Sequence, residues 1–367
     1  MIKRKKIEFL ILLAILAIAA FLRFYRLADY LTFLGDEGRD VLVVKRMIVD
    51  HKLTLLGPTA SVGGFFLGPL YYYMILPFLW LFRLNPVGPA VMVALIGVAT
   101  VFLVYQAGKD FFGPVIGPAV GLLAAGLYAI SPLVVNYSRS SWNPNVMPFF
   151  SLLIIYLVWW LVTKKRFSWL ILVGFLFGLT FQIHYLATFL LMTVGFYLLI
   201  FMPPRRNWQY YLGAAVGFIL GWSPFLVFEL RHGFPNFRSL YKFLVHGEET
   251  GIVISNFFPI IIDVFFRLFE RLVAASQNVL ALAVILVSFC FFIPLWRGWR
   301  QAKKKNPAQW LLLVWLGVGV LLFGFYQKPI YDYYFGFMFP LPFLLASYGL
   351  VRLARLNRFG LGLASLV

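Results

Sequence analysis

Apolar runs of near bilayer-spanning length, about 20 residues, follow one another along almost the whole chain, separated by short polar connectors. The runs predict membrane-spanning helices at roughly 7–24, 87–107, 115–132, 146–163, 168–184, 186–202, 209–228, 278–297, 309–326 and 333–351. Two further apolar stretches, 65–83 and 252–275, are ambiguous. The first carries Pro69 and Pro77; the second carries Asp263, Arg267, Glu270 and Arg271, each costly at the bilayer centre. Helical spacing from Asp263 to Arg267 and on to Arg271 suits an amphipathic surface helix.

The basic residues decide between the readings. They cluster in connectors: Lys3–Lys6, Lys164–Arg166, Arg205 with Arg206, Arg297–Lys305 and Arg352–Arg358. Short cytoplasmic loops carry such clusters. With 65–83 and 252–275 kept from crossing, every cluster falls on the side of the N-terminus; counting 65–83 as a span would put Lys164–Arg166 outside. The expectation is an all-α polytopic membrane protein with about ten transmembrane helices, within a range of roughly nine to twelve. It forms a single integral-membrane domain over 1–367, with juxtamembrane helices in the first (25–86) and third (229–277) outer loops. The N-terminus is cytoplasmic in this reading. The apolar run 7–22 is a retained span rather than a cleaved leader.

Composition agrees, with 62% hydrophobic and 12% charged residues. The net charge of +19 raises nucleic acid as a partner, but no separate basic domain exists and the charges sit between apolar runs, so nucleic acid is excluded. The one cysteine, Cys290, lies inside an apolar run and reads as a packing residue. Neither GxxxxGK(S/T) nor HExxH occurs, leaving nucleotide hydrolysis and zincin chemistry without support.

Of the thirteen acids, eleven gather on the outer side in this reading, and only Glu8 and Asp110 fall on the inner side. Asp36, Glu37 and Asp40 crowd into GDEGRD, residues 35–40. A glycine-flanked acid pair can act as general base or metal ligand. It can equally be a helix start, with Asp36 capping an amphipathic helix that continues through VLVVKR. Arg39 and Asp40 read as that helix's own ion pair. The other outer segments offer weaker groups: Tyr71 in GPLYYY, Arg139 and Asn143 in NYSRSSWNPN, His184 in FQIHYLATF, Arg231 in FELRHG, and Lys328, Tyr331, Asp332 and Tyr333 in QKPIYDYYF.

The order of these pieces resembles the C-type membrane glycosyltransferases, most closely the protein mannosyltransferase and aminoarabinose transferase group. The shared features are a basic N-terminus, one span, a GDE loop, a PLYY stretch, a KDFFG turn at 109–113 and an SP…YSR loop at 131–139. The resemblance covers residues 1–200 by motif and the rest by layout of spans. It implies inverting transfer of a hexosyl or pentosyl unit from a polyprenyl-phosphate donor to a hydroxyl of a protein, lipid or glycan, at the non-cytoplasmic face. It also implies Asp36 as catalytic base with Glu37 in support. By position, Arg139, Lys328, Tyr331 and Tyr333 are candidates for the donor's lipid phosphate. Tyr71, Asn143, His184 and Arg231 are candidates for acceptor or sugar, and Asp36, Glu37 and His184 for a divalent metal ion. The second outer loop has Asn143 and Asn145 where relatives often have an aspartate, which weighs against the metal, and Leu67-Gly68-Pro69 departs from the usual proline pair. Many relatives continue into a further outer domain or more spans, so the end at GLGLASLV suggests a short form or a fragment. The alternative function is a transporter or flippase of a lipid-linked substrate, whose paired inverted halves and midplane polar residues are not found in the sequence.

Overall fold

The computed structural model describes residues 2–60, 64–246, 254–289, 306–326 and 328–356. These form sixteen α-helices: α1 (Ile2–Phe24), α2 (Gly35–Val49), α3 (Leu70–Leu81), α4 (Val87–Phe111), α5 (Gly113–Ile130), α6 (Pro132–Tyr137), α7 (Met147–Lys164), α8 (Leu170–Phe181), α9 (Ala187–Phe201), α10 (Pro204–Gly221), α11 (Ser223–His232), α12 (Pro235–His246), α13 (Ile254–Leu272), α14 (Asn278–Phe289), α15 (Pro307–Phe323) and α16 (Pro340–Leu356). Among the described residues the only β pairing is an isolated bridge between Thr59 and Phe66. The protein is an all-α polytopic membrane protein.

Four segments are long and apolar enough to cross a bilayer as single pieces: Arg4–Phe24, Val87–Phe111, Gly113–Ile130 and Asn143–Lys164. Two bent pairs bring the number to six: α10 with α11, at 71°, and the 3-10 turn Asp332–Met338 with α16, at 63°. Each of the ten expected spans falls on an apolar helix or bent pair among the described residues, although α8, α9 and α15 are shorter than expected; the expected span 278–297 is described only as far as Phe289. Cys290, the Arg297–Lys305 cluster and Arg358 lie outside the described residues. Within 65–83 only Leu70–Leu81 is helical; its twelve residues rise about 18 Å, the same length as α8. The second ambiguous stretch becomes α13, apolar on one face and carrying Asp263, Arg267, Glu270 and Arg271.

Close helix contact comes from small residues. Gly174 and Gly178 of α8 face Gly217 and Gly221 of α10, and a Cβ at any of the four would collide with a carbonyl of the opposing helix. Such glycine spacing lets backbones approach where lipid supplies no hydrophobic drive between helices. The seam ends at Trp222, where the chain turns and Pro224 lies in the first turn of α11. Prolines are tolerated at a first helical turn but cannot continue the ladder of the helix before them.

At one end of the bundle, Glu8 pairs with Lys109 at 2.8 Å, and Asp110 accepts from Gln106 and Tyr156. At the other end lie α2, the loop 50–69, the turn Asn143–Val146, the α8–α9 connection and the turn Asp332–Met338.

Candidate active site

The segments at that second end surround an open cleft of about 160 Å³, lined by Asp36 and Arg39 of α2, Thr59, Ala60 and Leu67 of the loop, Trp142–Pro144, His184, Tyr185 and Tyr333.

Helix α2 begins one residue before the expected start, and its cap differs from expectation. Glu37, not Asp36, does the capping: its Oε2 accepts from the Leu34 N–H at 3.0 Å. The side chain at the third helical position reaches back as in a capping box, because Leu34 has no oxygen to offer. The other oxygen of Glu37 accepts from the Ser140 hydroxyl at 2.7 Å, and the residue is buried. Asp36, released from capping, is 47% exposed and pairs with Arg39 at 2.8 Å. Arg39 also pairs with Asp40 at 2.8 Å. Positions 36, 39 and 40 share one helix face, so the guanidinium lies between an exposed carboxylate and a buried one. Burial pulls the Arg39 guanidinium down, but the neighbouring charges of Asp40 and Asp36 outweigh it and hold the group above its ordinary value. Asp40 accepts a further hydrogen bond from the Tyr72 hydroxyl at 3.2 Å.

Elsewhere the cleft is held by long-range bonds. Asn143 donates to the Ile183 carbonyl at 2.7 Å, joining the second outer loop to the α8–α9 connection. In that connection the Leu186 N–H donates to His184 Nδ1 at 3.2 Å. Burial lowers the His184 pKa to about 3, so the ring is neutral and carries its proton on Nε2 as a donor. The Tyr333 ring packs on Trp142 at 4.4 Å and edge-on to His184 at 6.1 Å. Its turn is anchored from α13: Arg267 and Arg271 grip the two oxygens of Asp332 at 2.7 and 2.9 Å. The loop is tethered twice: Asn236 Oδ1 accepts from the Phe66 N–H at 2.8 Å and Gln182 Oε1 from the Leu70 N–H at 3.2 Å. Asn236 is in turn held by buried Glu229, to which it donates at 2.6 Å.

The structure therefore brings Asp36, Asn143, His184 and Tyr333 together. It leaves the remaining candidates outside the lining. Arg139 donates to the carbonyls of Leu22 (2.6 Å) and Tyr25 (2.9 Å), closing the C-terminal end of α1. Tyr71 is fully buried with its hydroxyl 2.8 Å from Ser141 Oγ. Arg231 is exposed at the end of α11, and Lys328 is exposed ahead of the turn. Tyr331 is 56% exposed and stacks on Tyr333 with centroids 5.9 Å apart. Among the described residues no three of His, Cys, Asp and Glu gather as metal ligands. The trio of Asp36, Glu37 and His184 does not fit a metal: both Glu37 oxygens and His184 Nδ1 are taken by protein donors, and Asp36 is paired. Of the lining residues, Arg39 was read only as a local ion-pair partner, and Thr59, Ala60, Leu67, Trp142, Pro144 and Tyr185 were not among the candidates. For Arg39 the signal was present in the 36/39/40 spacing.

A family model, the dolichyl-phosphate-mannose-protein mannosyltransferases, matches residues 67–228. No curated protein matches in sequence. Among solved structures the chain resembles ArnT from Cupriavidus metallidurans bound to undecaprenyl phosphate, with TM-score 0.61 and 15% identity over 99% of this chain. It also resembles the archaeal oligosaccharyltransferase AglB from Archaeoglobus fulgidus in complex with an inhibitory peptide and a dolichol-phosphate, with TM-score 0.61 and 12% identity over 99% of this chain. This chain spans 62% of the length of ArnT and 54% of that of AglB. At these identities the likeness is one of fold, and it bears out the resemblance to C-type membrane glycosyltransferases.

Proposed function

We propose that the chain is an inverting glycosyltransferase that moves a sugar from a polyprenyl-phosphate donor to a hydroxyl acceptor, with Asp36 as the base. The observation that carries this is that, of the three crowded acids, only Asp36 lines the cleft, while Glu37 and Asp40 are turned inward. The acceptor O–H gives its proton to Asp36. The acceptor oxygen forms a bond to the anomeric carbon as the bond from that carbon to the phosphate oxygen breaks. The electron pair leaves on the polyprenyl phosphate, and one displacement inverts the centre. Arg39, the neutral His184 through Nε2–H and the Tyr333 hydroxyl are the donors able to meet the developing phosphate charge. They replace Arg139 and Lys328 in that role, with Tyr331 backing Tyr333.

An apolar groove of about 110 Å³ shares Leu67 and Tyr185 with the cleft and continues between Phe65, Phe66, Phe181, Trp222, Phe225 and Phe237. Its chemistry suits an isoprenoid chain whose phosphate reaches the cleft. ArnT and AglB were solved with undecaprenyl phosphate and dolichol-phosphate, which supports a donor of this class. The gathering of acids at the cleft end and of basic connectors elsewhere supports a non-cytoplasmic site. The test is transfer from radiolabelled polyprenyl-phospho-sugars to candidate acceptors. Asp36→Asn should reduce turnover roughly a hundredfold or more; unchanged turnover would remove Asp36 as the base.

A further inference from the structure

At the end of the bundle away from the cleft, α1, α4, α5 and α7 border a groove of about 810 Å³. Arg4, Lys5, Lys109 and Lys164 contribute four cations to its lining, against the carboxylates of Glu8 and Asp110. Both acids are tied in. Lys109 lies 2.8 Å from Glu8, Tyr105 donates to the same carboxylate, and Asp110 accepts from Gln106 at 2.7 Å and Tyr156 at 2.6 Å. The outer cations Arg4 and Lys5 stand exposed on the first turn of α1, and Lys164 closes α7. Most of the remaining wall is apolar, with Phe9, Leu12, Pro114, Pro118 and Trp159, and Thr163 is its one further hydroxyl besides Tyr105. Phe9 is 63% exposed, and its neighbours Leu10 and Leu13 are 61% and 53% exposed.

We propose that this groove binds an anionic glycerophospholipid. Its phosphate sits among Arg4, Lys5 and Lys164, and an acyl chain runs along Phe9 and Pro118. The pairing of features selects this class. A free phosphate would use the cations and leave the apolar wall in contact with nothing. A zwitterionic lipid brings its own cation into a cluster that is already positive. An arginine fork suits a phosphodiester, and a basic groove beside an apolar helix face reads as an anionic-lipid site. The site is separate from the cleft and stands whether or not the transferase reading does.

The test uses the purified full chain, delipidated in neutral detergent, with bound lipid counted by native mass spectrometry during titration with phosphatidylglycerol or phosphatidylcholine. One phosphatidylglycerol should be retained well above phosphatidylcholine. Each cation near a lipid surface contributes about fivefold, so the combined Arg4→Gln, Lys5→Gln and Lys164→Gln variant should lose roughly a hundredfold in affinity. Arg205→Gln with Arg206→Gln, which removes charge from another basic cluster, should leave retention unchanged. Equal retention of the two lipids, equal loss in both variants, or displacement of the lipid by inorganic phosphate at matched concentration would each overturn the proposal.

Discussion

Asp40 makes the protein's stability depend on pH in a direction opposite to that of most paired carboxylates. Its side chain is 1% exposed and 2.8 Å from the Arg39 guanidinium, and its Oδ2 is buried without a hydrogen-bond partner. Burial pushes the carboxyl from 3.8 up to about 6, against the opposing pull of Arg39 and the Tyr72 hydroxyl. A carboxyl that binds its proton more tightly folded than unfolded adds stability that is fully present below the unfolded value and lost as pH rises through the folded one. The gap from 3.8 to about 6 corresponds to roughly 3 kcal/mol, of which about half is lost between pH 5 and 7. Asp40→Asn keeps the shape and removes the titration, and Arg39 retains Asp36 as a partner. Equilibrium unfolding by denaturant in detergent, repeated across this pH range, should show the wild type losing stability with rising pH relative to the variant by about that amount. Parallel curves for the two proteins would refute burial as the origin of the shift.

Other expectations follow from the same framework. Arg39→Lys keeps a cation but loses the fork that spans Asp36 and Asp40, so turnover should fall severalfold, and Arg39→Gln should fall further; equal activity in the two would remove the fork from the argument. Asp332→Ala frees Arg267 and Arg271 and should cost about 1–2 kcal/mol, between the limits for exposed and buried pairs, and raise KM if the Tyr333 turn moves. Gly217→Val places its Cβ in collision with the Ile171 carbonyl oxygen and should destabilise by about 1–3 kcal/mol or more, measured by the same unfolding assay. Under the proposed donor reading, Phe225→Ala should weaken long-chain polyprenyl donors more than short-chain ones, read as a change in KM with kcat retained.

Helices and their membrane character were legible because apolar run length is a local property. The expectation that 65–83 does not span came from the basic clusters, which a local hydropathy count ignores. The bends at Trp222 and Phe339 were not, since hydropathy continues across both. The site was readable where its partners are close in sequence, as for Asp36, Arg39 and Asp40. It was unreadable where the partner is far away. Arg139 ends on carbonyls more than a hundred residues upstream, and Glu37 meets Ser140 across 103 positions. No spacing rule reports contacts of that kind. Position on the outer side placed Arg139, Lys328, Tyr71 and Arg231 near the cleft, but it does not say which way a side chain turns.

The capping bond of Glu37 makes the order of two neighbouring acids meaningful. Successive residues on a helix point about 100° apart, so only one of the pair can look into the cleft while the other looks back along the chain. The longer side chain, at the third helical position, is the one that spans back to the Leu34 N–H. A chain reading Glu-Asp would have the same charge and nearly the same helix preference. It would nonetheless give the capping position a side chain one methylene too short and push a longer carboxylate toward Arg39. What looks in the sequence like a doubled acid is a division of labour between two side-chain lengths, and it is written in their sequence order.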